Sequence, residues 1–200
     1  DICKQIKLAR ENKAVKIVVL RVNSPGGSAL ASDEIWREVK LTNQSKKVIV
    51  SMGDVAASGG YYIAAPADKI FAEPTTITGS IGVFGTIPNL NKKKKKIGIH
   101  SAQVGTNKNS VDYSLFEPMS DQFRSVVLES VEGTYDTFLS RVAEGRNITV
   151  AQADSLAQGR VWSGTDAKRL GLIDELGNLD DAIAAAASMV GLKNYGIKKF

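Results

Sequence analysis

At 200 residues, with 43% hydrophobic and 24% charged side chains, the chain can bury roughly 70% of its unfolded surface, and its ordinary globular composition argues against a disordered chain. Its formal charge of +5 traces to one run, Lys92 to Lys96, with few aromatics and none interleaved, so no nucleic-acid partner is expected. Cys3 stands alone, which rules out an intrachain disulfide, and no apolar stretch approaches the ~20 residues of a membrane-spanning helix.

In chain order, the helix-like opening DICKQIKLAR places Ile2, Ile6 and Ala9 on one face and is expected to end near Asn12. So abrupt a start reads as a fragment whose upstream part is missing. VKIVVLRVN, residues 15–23, is a β-branched run with the length of a buried strand, broken by SPGGS. A helix follows from Ala29 to Thr42 with Ile35, Trp36 and Val39 on its apolar side. KKVIVSMG, residues 46–53, is a second buried strand, and GDVAASGGYYIAAPA after it reads as a turn and then a helix. KIFAEP, residues 69–74, is a short third strand stopped by proline. TITGSIGVFG, residues 76–85, is expected at the edge of the core, the lysine run as a solvated loop or exposed helix face, and IGIHSAQV, residues 97–104, as a further strand.

Alternating strands and helices predict a parallel sheet of βα units. After Ser120, a plausible N-cap, apolar residues from Phe123 to Val142 follow the 3.6-residue period of a long helix. TVAQ, residues 149–152, fits a capping box, SGTD, residues 163–166, opens another helix, and Asn178 caps a last one through Met189, with Gly191 as its stop. The expected organisation is an α/β core over residues 1–118 and a helical extension of the same domain over 119–200, serving oligomer contacts.

Ser58 stands between Ala57 and Gly59–Gly60, after a strand and at the first turn of a helix. That junction exposes a hydroxyl at the carboxyl end of a parallel strand, where the helix dipole favours an incipient alkoxide. A plain N-cap is the other role open to such a serine. The turn NSPGGS, with Gly26 and Gly27, can aim backbone N–H groups at one point, as an oxyanion hole requires, or be an ordinary strand-to-helix turn. A serine nucleophile needs a base. His100, the single histidine, has no acidic residue near it in sequence and reads better as structural or surface-exposed. A lysine base must be neutral, its pKa lowered from ~10.4 to ~7–8 by burial among uncharged groups. Lys92 to Lys96 look solvated and Lys69 adjoins Asp68, whereas Lys108 has no charged neighbour from Gln103 to Val111. No metal and no cofactor are expected.

VNSPGGS, GDVAASGGYYIA and TGSIGVFG, in that order, followed by AQGRVWSGTDAKRLGLIDELG, resemble the signal peptide peptidase A (protease IV) family over nearly the whole chain. The resemblance implies a fold shared with the Clp protease and crotonases, and a Ser–Lys serine protease that digests signal peptides at the membrane. It assigns Ser58 as nucleophile, Ser80 as the serine that hydrogen-bonds the lysine, Gly26 and Gly27 as the oxyanion turn with Gly59 as a second donor, and Lys108, in GTNK, as the base. Asn109 departs from the acidic residue that often follows this lysine. VWSG and GIHS look like the C-terminal half of a tandem member, in which the lysine comes from the other half. Lys108 in cis is the expectation kept here, with an incomplete half and a crotonase-type acyl-CoA enzyme as the alternatives. The family further implies peptide substrates, a homo-oligomer, and a place at the bacterial inner membrane facing the periplasm, reached through an N-terminal anchor.

Overall fold

The computed structural model describes residues 2–107, 110 and 113–200. They form two compact units, one from the residues up to Gly82 together with Asp136–Phe200, the other from Val83–Tyr135.

The first unit is organised by one strand. After α1 (Ile2–Glu11), β1 (Val18–Ser24) and α2 (Ala29–Asn43) comes β2 (Val48–Ala57), which pairs with three other strands. Val48–Met52 lie parallel to Val18–Val22 of β1. Along its other edge β2 takes β3 (Lys69–Ala72) over Ile49–Ser51 and β4 (Ile77–Gly79) over Val55–Ala57, both parallel. Two further strands close the sheet: β5 (Val161–Ser163) joins β4 antiparallel, and β6 (Glu175–Leu176) joins β3 parallel. The expected parallel sheet is therefore present with one antiparallel edge strand, contributed from a distant part of the sequence.

β2 is buried on both faces because helices cover both, which is why it opens on the apolar run Val48–Ile49–Val50. Ile49 packs with Phe71 against Ala182 and Ala186 of α8 (Leu179–Met189). Val48 and Val50, at most 1% exposed, point the other way by strand alternation. The alanines of α8 let the helix axis approach the sheet closely, and Asn178 caps it as expected, accepting hydrogen bonds from the N–H groups of Asp180 and Asp181.

α3 (Gly59–Ala64) is only six residues long and would not persist alone. Its two tyrosines anchor it. Tyr61 is fully buried and its hydroxyl donates to the Leu172 carbonyl at 2.7 Å; burial pushes its pKa far above the usual range, so it stays a donor. Tyr62 donates to Asp33 at 2.7 Å and packs edge-on to Trp36 and against Phe138; burial, then the Asp33 hydrogen bond, raise it to about 12. Phe138 belongs to α5 (Asp121–Arg146), whose apolar stripe the sequence predicts. The buried residues of α5 are Phe138, Leu139, Val142 and Ala143, while Val126 and Leu128 are each 56% exposed. α6 (Val150–Leu156) has the predicted Thr149–Gln152 capping box, and α7 (Gly164–Arg169) is capped by Ser163.

The second unit corrects two expectations. Residues 97–104 form no strand: the apolar residues Ile97, Ile99 and Val104 are 71%, 49% and 95% exposed, and no partner strand or core among the described residues supports the run. The lysine run is not uniformly solvated either. It forms α4 (Asn91–Lys96), and Lys94 turns inward, 6% exposed, with its ammonium 2.5 Å from both Glu117 Oε1 and Ser101 Oγ. The Lys94 hydrogen bond first, then that of the Ser101 hydroxyl, which donates to the same Glu117 oxygen at 2.6 Å, hold the Glu117 carboxyl below the usual carboxylate range.

This packing can be tested at two places. A Cβ at Gly145 of α5 would collide with the Ala65 carbonyl, whereas one at Gly133 of the same helix would meet open space. Chemical unfolding should therefore show Gly145→Ala destabilised by about 1–3 kcal/mol and Gly133→Ala stabilised by about 0.5–1 kcal/mol; equal shifts would refute the placement. A carboxyl whose pKa is depressed on folding adds stability above its unfolded value of about 4.3, and that stability is lost as the pH falls through the folded value. The melting-temperature gap between wild type and Glu117→Gln should accordingly be full at neutral pH and narrow below about pH 4; a gap that widened in acid would contradict the ion pair.

Candidate active site

The carboxyl end of β2 is irregular by construction. The register with β1 slips between Val22 and Ser24, which pair with Met52 and Ala56, so β2 bulges by its extra residues there. Asn23 fills the gap: its side-chain oxygen accepts the Val55 N–H at 3.1 Å, and a Cβ at Gly53 would run into it. Thr76 donates to the Gly53 carbonyl and Thr78 to the Ala56 carbonyl, at 2.8 and 2.7 Å. These bonds fix where β2 ends and which way Ser58 leaves it.

Ser58 has φ 52° and ψ −120°, a left-handed backbone that a residue with a side chain adopts only when its surroundings impose it. Its N–H donates to Gly79 O at 2.9 Å, and its carbonyl accepts the Tyr62 N–H at 2.9 Å. The hydroxyl makes no capping bond. The residue therefore stands at the helix start without serving as an N-cap, which answers one of the two roles open to it in the sequence.

The SPGGS turn packs directly on this elbow. A Cβ at Gly26 would stand 2.7 Å from the Gly59 nitrogen and 2.8 Å from Ser58 Cβ, and Gly26 has φ 100°, so only glycine fits. Gly26 donates its N–H to Ser24 Oγ at 3.1 Å. A Cβ at Gly59 would come within 3.4 Å of the Gly27 nitrogen and would collide with Ser32 Oγ. Neither Gly27 nor Gly59 donates its N–H to a described residue, so these two backbone donors lie together beside Ser58. Two such N–H groups at a helix start suit a developing oxyanion.

Ser80 has the same unusual backbone, φ 48°, and follows Gly79, whose carbonyl holds Ser58. Its N–H donates to Arg160 O at 2.7 Å, and Trp162 lies where a Cβ on Gly79 would be. Ser58, Ser80, Gly26, Gly27 and Gly59 are thus all placed around one strand end. Ser24, Ser32, Arg160 and Trp162 also shape it, and no place at the site was expected for any of the four. Arg160 and Trp162 come from β5 and the residue before it, and no local pattern announces that antiparallel pairing.

The lysines separate cleanly. Lys108 and Asn109 lie outside the described residues. Lys69 pairs with Glu175 at 2.6 Å, while Asp68 takes Lys47. Lys46, whose pKa burial lowers, donates to the carbonyls of Ala9 and Asn12 at 3.0 and 2.6 Å. It precedes the amino end of β2, about 30 Å of strand from Ser58. Lys94 is committed to Glu117. His100 is exposed and, contrary to expectation, lies in no strand.

The profile of peptidase family S49 matches residues 40–193. Protease 4 of Salmonella typhi is 46% identical over 192 residues, covering 96% of this chain and 31% of that protein. The chloroplastic serine protease SPPA of Arabidopsis thaliana is 42% identical, covering 93% of this chain and 28% of that protein. A putative protease of a Synechocystis species is 35% identical, covering 96% of this chain and 69% of that protein. The chain thus spans under a third of the first two relatives and over two thirds of the third. A solved structure, a point mutant of ClpP1 from Listeria monocytogenes, superposes with a TM-score of 0.60 at 17% identity, over 92% of this chain and 85% of that one. That likeness establishes a Clp-protease-like α/β fold. With its family profile covering most of its length, the chain belongs to peptidase family S49.

Proposed function

We propose that this chain carries the nucleophile of a serine endopeptidase that cleaves signal peptides and other apolar peptides, with Ser58 as nucleophile and Lys108 as general base. The observation that carries the reading is the left-handed backbone at Ser58, imposed by the sheet and left without a capping role. Membership of a peptidase family favours peptide hydrolysis over acyl-CoA chemistry.

In this reading neutral Lys108 takes the proton of the Ser58 hydroxyl as Oγ attacks the peptide carbonyl carbon. The carbonyl electrons move to oxygen, and the oxyanion rests between the N–H groups of Gly27 and Gly59. Ser80 orients the lysine. The protonated lysine returns its proton to the amide nitrogen as the C–N bond breaks, leaving an acyl ester on Ser58. Water, deprotonated by the same lysine, attacks the ester carbonyl, and the lysine passes that proton to Ser58 Oγ as the ester C–O bond breaks and the acid leaves. Homo-oligomerisation, for which the exposed Val126 and Leu128 of α5 are suited, and association with the bacterial inner membrane on the periplasmic side belong to the same proposal.

One observation favours a second reading. This chain covers only 31% of the relative that is 46% identical, so a base supplied by residues outside it is chemically open. Labelling by a fluorophosphonate across about pH 6 to 10 separates the two. Ser58→Ala is expected to abolish labelling; persistent labelling would overturn the proposal. With Lys108 as base, wild-type labelling rises with pH through the lysine pKa and Lys108→Ala slows it on the order of 10²–10⁴-fold. Equal rates for wild type and Lys108→Ala would move the base outside the chain.

Gly26→Ala should slow labelling on the order of 10²–10³-fold, because the methyl displaces the Gly59 N–H from its donor position. Circular dichroism should show the sheet intact. Unchanged labelling would remove the glycine turn from the mechanism.

A further inference from the structure

We infer that α4 and the segment after it form a docking surface for membranes of anionic lipid. The inference concerns a surface on the second unit and stands whether or not Ser58 is the nucleophile.

The sequence from residue 74 to residue 111 holds six lysines and no acidic residue, so nothing within it offsets the charge. Five of the lysines fill α4 and its single ordered turn. Like charges four apart on a helix oppose each other, and Lys92 and Lys96 are such a pair. The helix is nonetheless held, because Lys94 is buried and clamped by Glu117 and Ser101. With one lysine turned inward, Lys92, Lys93, Lys95 and Lys96 are all left exposed, and none of the four lies within 4 Å of a carboxylate among the described residues. Lys95 does contribute to lowering the Glu117 pKa. The chain thus uses one lysine of five to fix the helix and presents four.

Apolar side chains accompany the charge. Ile97 and Ile99 follow the helix directly, 71% and 49% exposed, and Val104 of the same acid-free segment is 95% exposed. Cationic residues next to exposed aliphatic ones suit an interface with charged headgroups above acyl chains. A nucleic acid would reward the lysines but not the isoleucines, and the segment has no arginine to read a base edge or stack on one. Charge and apolar exposure together select the lipid surface.

The test is flotation of the full chain with vesicles of phosphatidylcholine alone and of phosphatidylcholine with about a quarter phosphatidylserine. The expected result is binding to the anionic vesicles only, with release as salt rises from about 0.05 to 0.5 M. Replacing Lys92, Lys93, Lys95 and Lys96 by glutamine, with Lys94 kept, should weaken partitioning on the order of 10²–10³-fold. Ile97→Ser with Ile99→Ser should weaken it further at a fixed salt concentration. Equal binding to neutral vesicles, or wild-type binding by the fourfold variant, would overturn the inference. So would duplex DNA that displaced the protein from anionic vesicles at equal phosphate concentration, which would assign the surface to nucleic acid. Should the fourfold variant fail to fold, the lipid comparison and the salt release of the wild-type protein still decide the matter.

Discussion

The first unit depends on holding one residue, Ser58, in a backbone conformation it would not choose. A left-handed residue with a side chain costs on the order of 1–3 kcal/mol. That cost is offset by bonds on both sides, Ser58 N–H to Gly79 O before the turn and Tyr62 N–H to Ser58 O after it. Each partner is itself fixed from elsewhere: Gly79 by its ladder to β5, Tyr62 by Asp33, Trp36 and Phe138. The strain persists because the strand before it and the helix after it are each anchored independently of the turn.

The same constraint explains the composition around it. Close approach between the SPGGS turn and the Ser58 elbow leaves no room for a Cβ at Gly26, Gly59 or Gly60, the last of which would meet the Ser24 carbonyl. Small residues here are required by two backbones in contact. That contact is also what places the N–H groups of Gly27 and Gly59 side by side, so packing and the proposed oxyanion site are one arrangement. Removing a glycine for stability would remove the donor geometry with it.

How much of this could be read in the sequence follows from the range of the interactions. The start of β2 was legible because burial on both faces leaves the apolar run Val48–Ile49–Val50, and the caps at Thr149, Ser163 and Asn178 because capping spans three residues. Ser58 and the glycine turn stood out as candidates that the fold brings together, since small residues beside one hydroxyl make an unusual local pattern. β5 and β6 were not, being strands of three and two residues that exist only through partners far away in the chain. Residues 97–104 misled for the opposite reason: their apolar character is real, but no strand or core among the described residues receives it. Lys94 was unreadable among identical neighbours, because what distinguishes it is Ser101 and Glu117, the latter 23 residues on.

Charge placement follows a consistent division. In the first unit Lys40, Lys47 and Lys69 are each spent on a carboxylate, and Lys46 on two carbonyls. The donors of a lysine so engaged are already oriented away from the strand end that carries Ser58. In the second unit Lys94 is likewise committed, and the four lysines around it gain most from water or an anionic surface. A neutral lysine demands the opposite surroundings, with no carboxylate at hand and little solvent. Of the lysines in the acid-free segment, Lys108 alone stands apart from the run in sequence, with no charged neighbour for several residues on either side. Lys108 is accordingly the candidate for a base in cis, and the alternative is a lysine from beyond this chain.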